Sequence, residues 1–176
     1  MSRRTLAQDV ATAGMMIAMI EACKLAMQGL PNIEMTSFLL ILFTLHFGRL
    51  TLLVVPGFIL IEGLIYGLNL WWVMYLYAWP LLVLITHLFR KNDSAFFWAI
   101  VSGAFGLLFG LLCSFPYFFI GAVGGSVASG VRQMLAWWIA GIPYDLLHGA
   151  GNFVLMLALY RPISALLRRI PQFLSR

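Results

Sequence analysis

The residues able to do chemistry in this chain are few, and they stand inside apolar runs. Glu21 and Lys24 are three apart, a spacing that puts both on one face of a helix. Glu62 is followed by Tyr66 and Asn69, while Asp145, His148 and Asn152 recur at intervals of three and four and so form a single helical stripe. An ionisable side chain within hydrocarbon is costly, and it marks either a solute path or an internal pair. Glu21 and Lys24 therefore either neutralise each other or meet a solute. Glu62 has no partner nearby in the sequence and is the stronger candidate ligand. His148 beside Asp145 has the residue types of a proton relay. No Ser or Cys stands at a nucleophile elbow, however, and no second His completes a metal spacing, so a hydrogen-bond network is the expected role. Cys23 and Cys113, the two cysteines, lie in apolar stretches and are expected to pack as small hydrophobes rather than to form a disulfide or a metal site. No catalytic residue, metal or cofactor is expected, and the chain is not expected to be an enzyme.

The elements that must hold these residues follow from composition. Apolar residues make up 62% of the chain and charged residues 10%, against about 45–50% and about 25% in soluble domains. A water-soluble fold of 176 residues could not hide that much hydrocarbon. The expected class is therefore all-α, a single integral membrane domain over residues 1–176 lying in a cell membrane. Spans are expected over 6–28, 35–47, 50–68, 72–89, 95–116 and 139–160. The second is short, because about 13 residues reach only about 20 Å into a core of about 30 Å. The opening residues through Arg4 followed by an apolar run imitate a signal peptide, but Asp9, Glu21 and Lys24 interrupt the run, so the first span is expected to be retained.

Charge supports the same count. With six spans and both termini cytoplasmic, the cytoplasmic side collects Arg3, Arg4, Arg49, Arg90, Lys91, Arg161, Arg168, Arg169 and Arg176, leaving only Lys24 and Arg132 elsewhere. That is the bias of retained positive charge. The net charge of +5 forms no basic stripe interleaved with aromatics, so nucleic acid is not an expected partner.

In this topology Glu21, Lys24, Glu62, Asp145 and His148 all fall in outer halves of spans, and the inner halves are bland. The pattern predicts a cup open to the outside. Rings crowd the same level: Trp71, Trp72, Tyr75, Tyr77 and Trp79, then Tyr117, Trp137, Trp138 and Tyr144. They serve either as an interfacial belt or as walls of a solute site. No Trp is expected in the inner turns, where His46 and His87 are expected at the interface. Residues 114–133, with Pro116 and many Gly, Ala and Ser, read as the longest outer connection, either a plain loop or a flap. Small residues also recur at Ala7, Ala11, Gly14, Ala18 and Ala22 in the first span and at Gly103, Gly106 and Gly110 in the fifth. Such strips let helices approach closely in lipid. The first serves either internal packing or a partner subunit, and the second is expected to pack internally.

Nearly the whole chain resembles the substrate-binding S components of energy-coupling factor (ECF) transporters. The residues that carry the likeness are the alanine-rich first helix, the turn Leu30-Pro31-Asn32-Ile33-Glu34, and the run Phe43-Thr44-Leu45-His46-Phe47-Gly48. To these add Glu62-Gly63-Leu64-Ile65-Tyr66-Gly67 leading to Trp71-Trp72, and Gly141-Ile142-Pro143-Tyr144-Asp145 with His148, Gly149 and Asn152. The resemblance implies a six-helix subunit that binds a vitamin or similar micronutrient from outside and works with a transmembrane coupling protein and two cytoplasmic ATPases. It implies toppling in the lipid bilayer to release the solute. By carry-over, Ala11, Gly14, Ala18 and Ala22 would form the docking surface for the coupling protein, with Gly14 interrupting the family's alanine pattern. The chain carries no Gly-x-x-x-x-Gly-Lys-Ser/Thr phosphate loop, so any ATP would be hydrolysed by another polypeptide.

The expected substrate contacts are Asn32, Glu34, Glu62, Tyr66, Asn69, Trp72, Tyr75, Trp138, Tyr144, Asp145, His148 and Asn152. The alternative from a different class is a membrane scaffold of similar fold that holds protein partners, for which a one-sided polar cup is not required.

Overall fold

Six helices are built from the apolar runs in chain order: α1 (Leu6–Met27), α2 (Thr36–Phe47), α3 (Thr51–Tyr66), α4 (Leu70–Leu88), α5 (Ala95–Val123) and α6 (Val127–Leu167). The computed structural model describes residues 5–169, and among them every regular element is helical. Local chemistry sets the starts. Thr5 caps α1 and exchanges hydrogen bonds with Gln8 in a capping box, and the side chains of Asn69, Ser94 and Ser126 accept from the first free N–H groups of α4, α5 and α6. Gly67 ends α3 with φ 89°, a conformation that costs a residue without a side chain little.

Five helical stretches are long and apolar enough to cross a membrane: α1, residues 36–66 taken together, α4, α5 and α6. Their outward faces carry large apolar side chains such as Leu52, Leu60, Leu64, Leu84 and Leu108. Surfaces of that kind belong in lipid, not water.

Within residues 36–66 the chain reverses. The 3-10 turn Gly48–Leu50 separates α2 from α3, and Gly48 takes φ 54°. His46, at the end of α2, hydrogen-bonds Ser164 late in α6, whereas Glu34 before α2 and Tyr66 at the end of α3 line one cavity. Both ends of the stretch therefore lie at one end of the bundle and its middle at the other. The short second span is explained by its place. All residues from Thr36 to Thr44 are buried, so at about 18 Å α2 needs only to fill the middle of the bundle. An evenly apolar helix belongs in such a position.

The largest departure from expectation is the last hairpin. Residues 114–133, expected as the longest connection, are helical except at 124–126, so α5 runs to 29 residues and α6 to 41. The expected sixth span began at residue 139, twelve residues after the start of α6 at Val127. The Gly, Ala and Ser that suggested a loop instead let two helices touch. A methyl on Gly121 would lie 2.9 Å from the Gly130 Cα, and one on Gly130 would lie 2.5 Å from the Phe118 carbonyl oxygen. At about 43 and about 61 Å, both helices outrun a hydrocarbon core of about 30 Å.

Candidate functional site

The polar groups gather at the end of the bundle that holds Glu34. Lys24, Glu62 and Tyr66 are placed by the ends of α1 and α3, Glu34 by the turn between α1 and α2, where Asn32 adopts φ 54°, and Asp145 and His148 by the middle of α6. Lys24, three residues before the end of α1, reaches across to α3 and pairs with Glu62 at 2.5 Å. Its ammonium also lies over the rings of Phe58, Tyr75 and Tyr66, at 5.2, 5.5 and 5.8 Å from their centroids. This arrangement corrects the expectation for both carboxylates of the region. Lys24 takes the distant Glu62 and not Glu21, and Glu62 is 1% exposed and held as an ion pair rather than open to a solute. A buried charge is retained only when matched in this way.

On the other side of the same end, Asp145 and His148 face α5 and the α1–α2 turn and do not bond to each other. The Gly110 N–H donates to Asp145 Oδ1 at 2.9 Å, and His148 Nε2 lies 3.6 Å from Glu34 Oε1. Glu34 Oε2 in turn accepts from the Thr36 hydroxyl at 3.0 Å. Burial pushes the Glu34 carboxyl above its usual range, and Lys24 and the Thr36 hydroxyl pull it back. Asp145 and His148 are both buried, yet Asp145 Oδ2 and His148 Nε2 have no hydrogen-bond partner. Gly110 is what admits the carboxylate, since any side chain there would fall on it.

Two cavities open at this end. One, of about 330 Å³, is walled by Lys24, Asn32, Glu34, Tyr66, Tyr75 and His148, with Met27, Gln28, Leu30, Ile33 and Phe109. The other, of about 720 Å³, is walled mainly by Asn69, Trp71, Tyr75, Phe109, Tyr117, Trp137, Tyr144 and Asp145. Asn32, Tyr75 and Phe109 border both, so the two adjoin. The volumes fall in the usual range for small-molecule sites, about 300–1,000 Å³.

Of the expected contacts, Asn32, Glu34, Tyr66, Asn69, Tyr75, Tyr144, Asp145 and His148 line these cavities. Trp72, Trp138 and Asn152 do not. The Trp72 indole donates to the Ile59 carbonyl at 2.8 Å and so ties α4 to α3. Asn152 donates to the Ser102 carbonyl at 3.3 Å between α6 and α5. Trp137 takes the place expected of Trp138, stacking on Tyr117 with centroids 4.8 Å apart and planes 24° apart. Neighbours in a helix point about 100° apart, and the sequence could not say which indole faces inward.

Phe109 was missed altogether, although it stands between the glycines of the α5 strip and packs edge-on against His148 at 5.1 Å. Its position next to Gly110 was the available signal. Trp79 is a core residue, fully buried between Phe58, Tyr75, Phe105 and Phe109. Trp98, inside the expected fifth span, is buried near the start of α5, where its indole donates to the Asn92 carbonyl.

The two small-residue strips part company. Ala11, Gly14, Ala18 and Ala22 face outward, and nothing lies within 4 Å of where a Gly14 methyl would stand. Gly103, Gly106 and Gly110 press against α6, where a methyl on Gly106 would lie 2.9 Å from the Gly149 backbone. Compared with protein-family models, curated proteins and solved structures, the chain matches none. Among the described residues no three His, Cys, Asp or Glu side chains converge as a metal site would require. What the arrangement can do is enclose a small ring-bearing molecule and offer it hydrogen bonds.

Proposed function

We propose that this chain captures a vitamin or related micronutrient from outside a cell membrane, as the substrate-binding S component of an ECF-type importer. A transmembrane coupling protein and two cytoplasmic ATPases on other chains would drive release of the solute inward. In this reading the chain crosses the bilayer six times, α2 and α3 being separate crossings joined at Gly48–Leu50, and both termini are cytoplasmic. The reversal at that turn and the gathering of Lys and Arg at the end away from the cup support it. The outward strip on α1 suits a helix that docks against another membrane subunit.

The observation that carries the reading is the pair of adjoining cavities in which rings and buried polar groups meet at one end of the bundle. The cavity of about 460 Å³ at the opposite end, by contrast, is walled mainly by apolar residues of α3 and α4. A proton or ion path would need such groups through the whole thickness. A scaffold for protein partners would need no cavity.

The test is thermal-shift and native mass-spectrometric screening of the purified protein against water-soluble vitamins and their precursors. At least one is expected to bind and raise the unfolding midpoint. Failure of every solute, with a deletion strain that grows undiminished on limiting vitamins, would overturn solute capture and leave the scaffold.

A further inference from the structure

The chemistry of the solute can be read from what the cup leaves unmatched, on the premise that the cup is a solute site. The basic side chains that line the two cavities are Lys24 and His148. Each already faces a carboxylate: Lys24 is paired with Glu62, and His148 Nε2 lies 3.6 Å from Glu34. His148 Nε2 makes no hydrogen bond at that distance, so the charge committed within the protein is that of Lys24. An anionic solute would have to displace the Lys24–Glu62 pair or sit against Glu34 and Asp145 unneutralised.

The unmatched group on the wall of the larger cavity is an acceptor. Asp145 is 5% exposed, its Oδ1 is held by the Gly110 N–H, the Trp138 indole approaches the carboxylate from the same helix, and its Oδ2 is buried with no donor at hydrogen-bond distance. Leaving such an oxygen unpaired away from water is costly, and the cost disappears when a ligand brings a donor. Around it stand flat surfaces: Trp71, Phe109, Tyr144 and the stacked pair Tyr117 and Trp137. Rings of this kind hold a planar solute by its faces while an edge group reaches the carboxylate.

From this we infer that the solute is a nitrogen-containing aromatic ring system, neutral or cationic, which presents an amino or ring N–H donor to Asp145 Oδ2 and bears no carboxylate or phosphate. Donor and acceptor then share a desolvated site, where a charge-assisted hydrogen bond is strongest.

Three probes of one shape separate the possibilities, measured by calorimetry on the purified full-length protein. They are 2,4-diaminoquinazoline, 2,4-dimethoxyquinazoline and quinazoline-2-carboxylate. The diamino compound is expected to bind, the dimethoxy compound at least about tenfold more weakly, and the carboxylate not at all. Asp145→Asn is expected to weaken the diamino compound at least about tenfold and to reduce its margin over the dimethoxy compound. Trp137→Leu should weaken both amino and methoxy compounds alike. If Asp145→Asn does not fold, the ranking of the three compounds on the unaltered protein decides. Binding of the carboxylate as tight as that of the diamino compound, or an Asp145→Asn protein that binds it undiminished, overturns the inference. If none of the three binds, the solute found in the vitamin screen decides. A hit that bears a carboxylate or phosphate, or lacks an N–H donor, sinks this inference and leaves solute capture standing; no hit at all sinks both.

Discussion

The α1 side of the bundle and the α5–α6 hairpin contain the same two ingredients, a strip of small residues and a buried carboxylate, and use them in opposite ways. On α1 the strip of Ala11, Gly14, Ala18 and Ala22 faces outward, while the carboxylate of the neighbouring α3, Glu62, is ion-paired with Lys24 through Oε2, its Oε1 being buried without a hydrogen-bond partner. In the hairpin the strip of Gly103, Gly106 and Gly110 is consumed by contact with α6, while Asp145 is buried with no cation paired to it and one oxygen without a hydrogen-bond partner. The first side holds itself together by charge and leaves its backbone accessible. The second holds itself together by backbone contact and leaves a buried carboxylate with no ion pair among the described residues. A small-residue strip or a buried acid is therefore no guide to function until its partner is known.

The comparison breaks most visibly at Lys24. Lys24→Met leaves Glu62 buried without its cation, and removing one partner of a buried pair costs about 3–5 kcal/mol. Thermal unfolding in detergent should show that loss, and Glu62→Gln added to Lys24→Met should return most of it. A Lys24→Met protein as stable as the parent would mean that the pair does not hold α1 to α3.

Next in size is the contrast between the strips. Gly106→Leu forces a side chain against the Gly149 backbone, and overpacking of this kind costs about 1–3 kcal/mol. Gly14→Leu meets open space, so its stability should stay within about 0.5 kcal/mol of the parent. If the chain docks a coupling protein as proposed, only Gly14→Leu should reduce co-purification with it. Equal stabilities, or a Gly14→Leu protein that co-purifies undiminished, would erase the distinction.

The smallest effect lies at the opposite end, where exposed Asp93 accepts from the Tyr160 hydroxyl at 3.0 Å and from Arg168 at 2.7 Å. The hydrogen bond from Arg168, above all, holds the Asp93 carboxyl below its ordinary value of 3.8. A depressed folded value stabilises the protein above the ordinary one, and that stability is lost as pH falls through the folded value. Asp93→Asn should therefore cost at most about 1 kcal/mol at neutral pH. Unfolding midpoints of the two proteins should converge as the pH drops below 3.8. A difference that persists in acid would assign the effect to packing.

Much of this was legible without coordinates. The lengths of apolar runs gave α1 to α4 within a few residues, and the clustering of Glu34, Tyr66, Asp145 and His148 at one level followed from counting along those runs. The hairpin was misjudged because Gly, Ala and Ser mark both a loop and a close helix contact, and only the presence of the facing helix separates the two.

Apolar content, charge bias and spacing are properties of the chain read locally, and they determined by themselves that it is helical, suited to a membrane, and polar at one end. A helix face is fixed by spacing, but the direction in which it points is fixed by what packs around it. That is why only the tertiary structure decided that Lys24 joins Glu62, that Trp137 and not Trp138 borders the cavity, that the α1 strip faces outward, and that one oxygen of Asp145 is left without a donor.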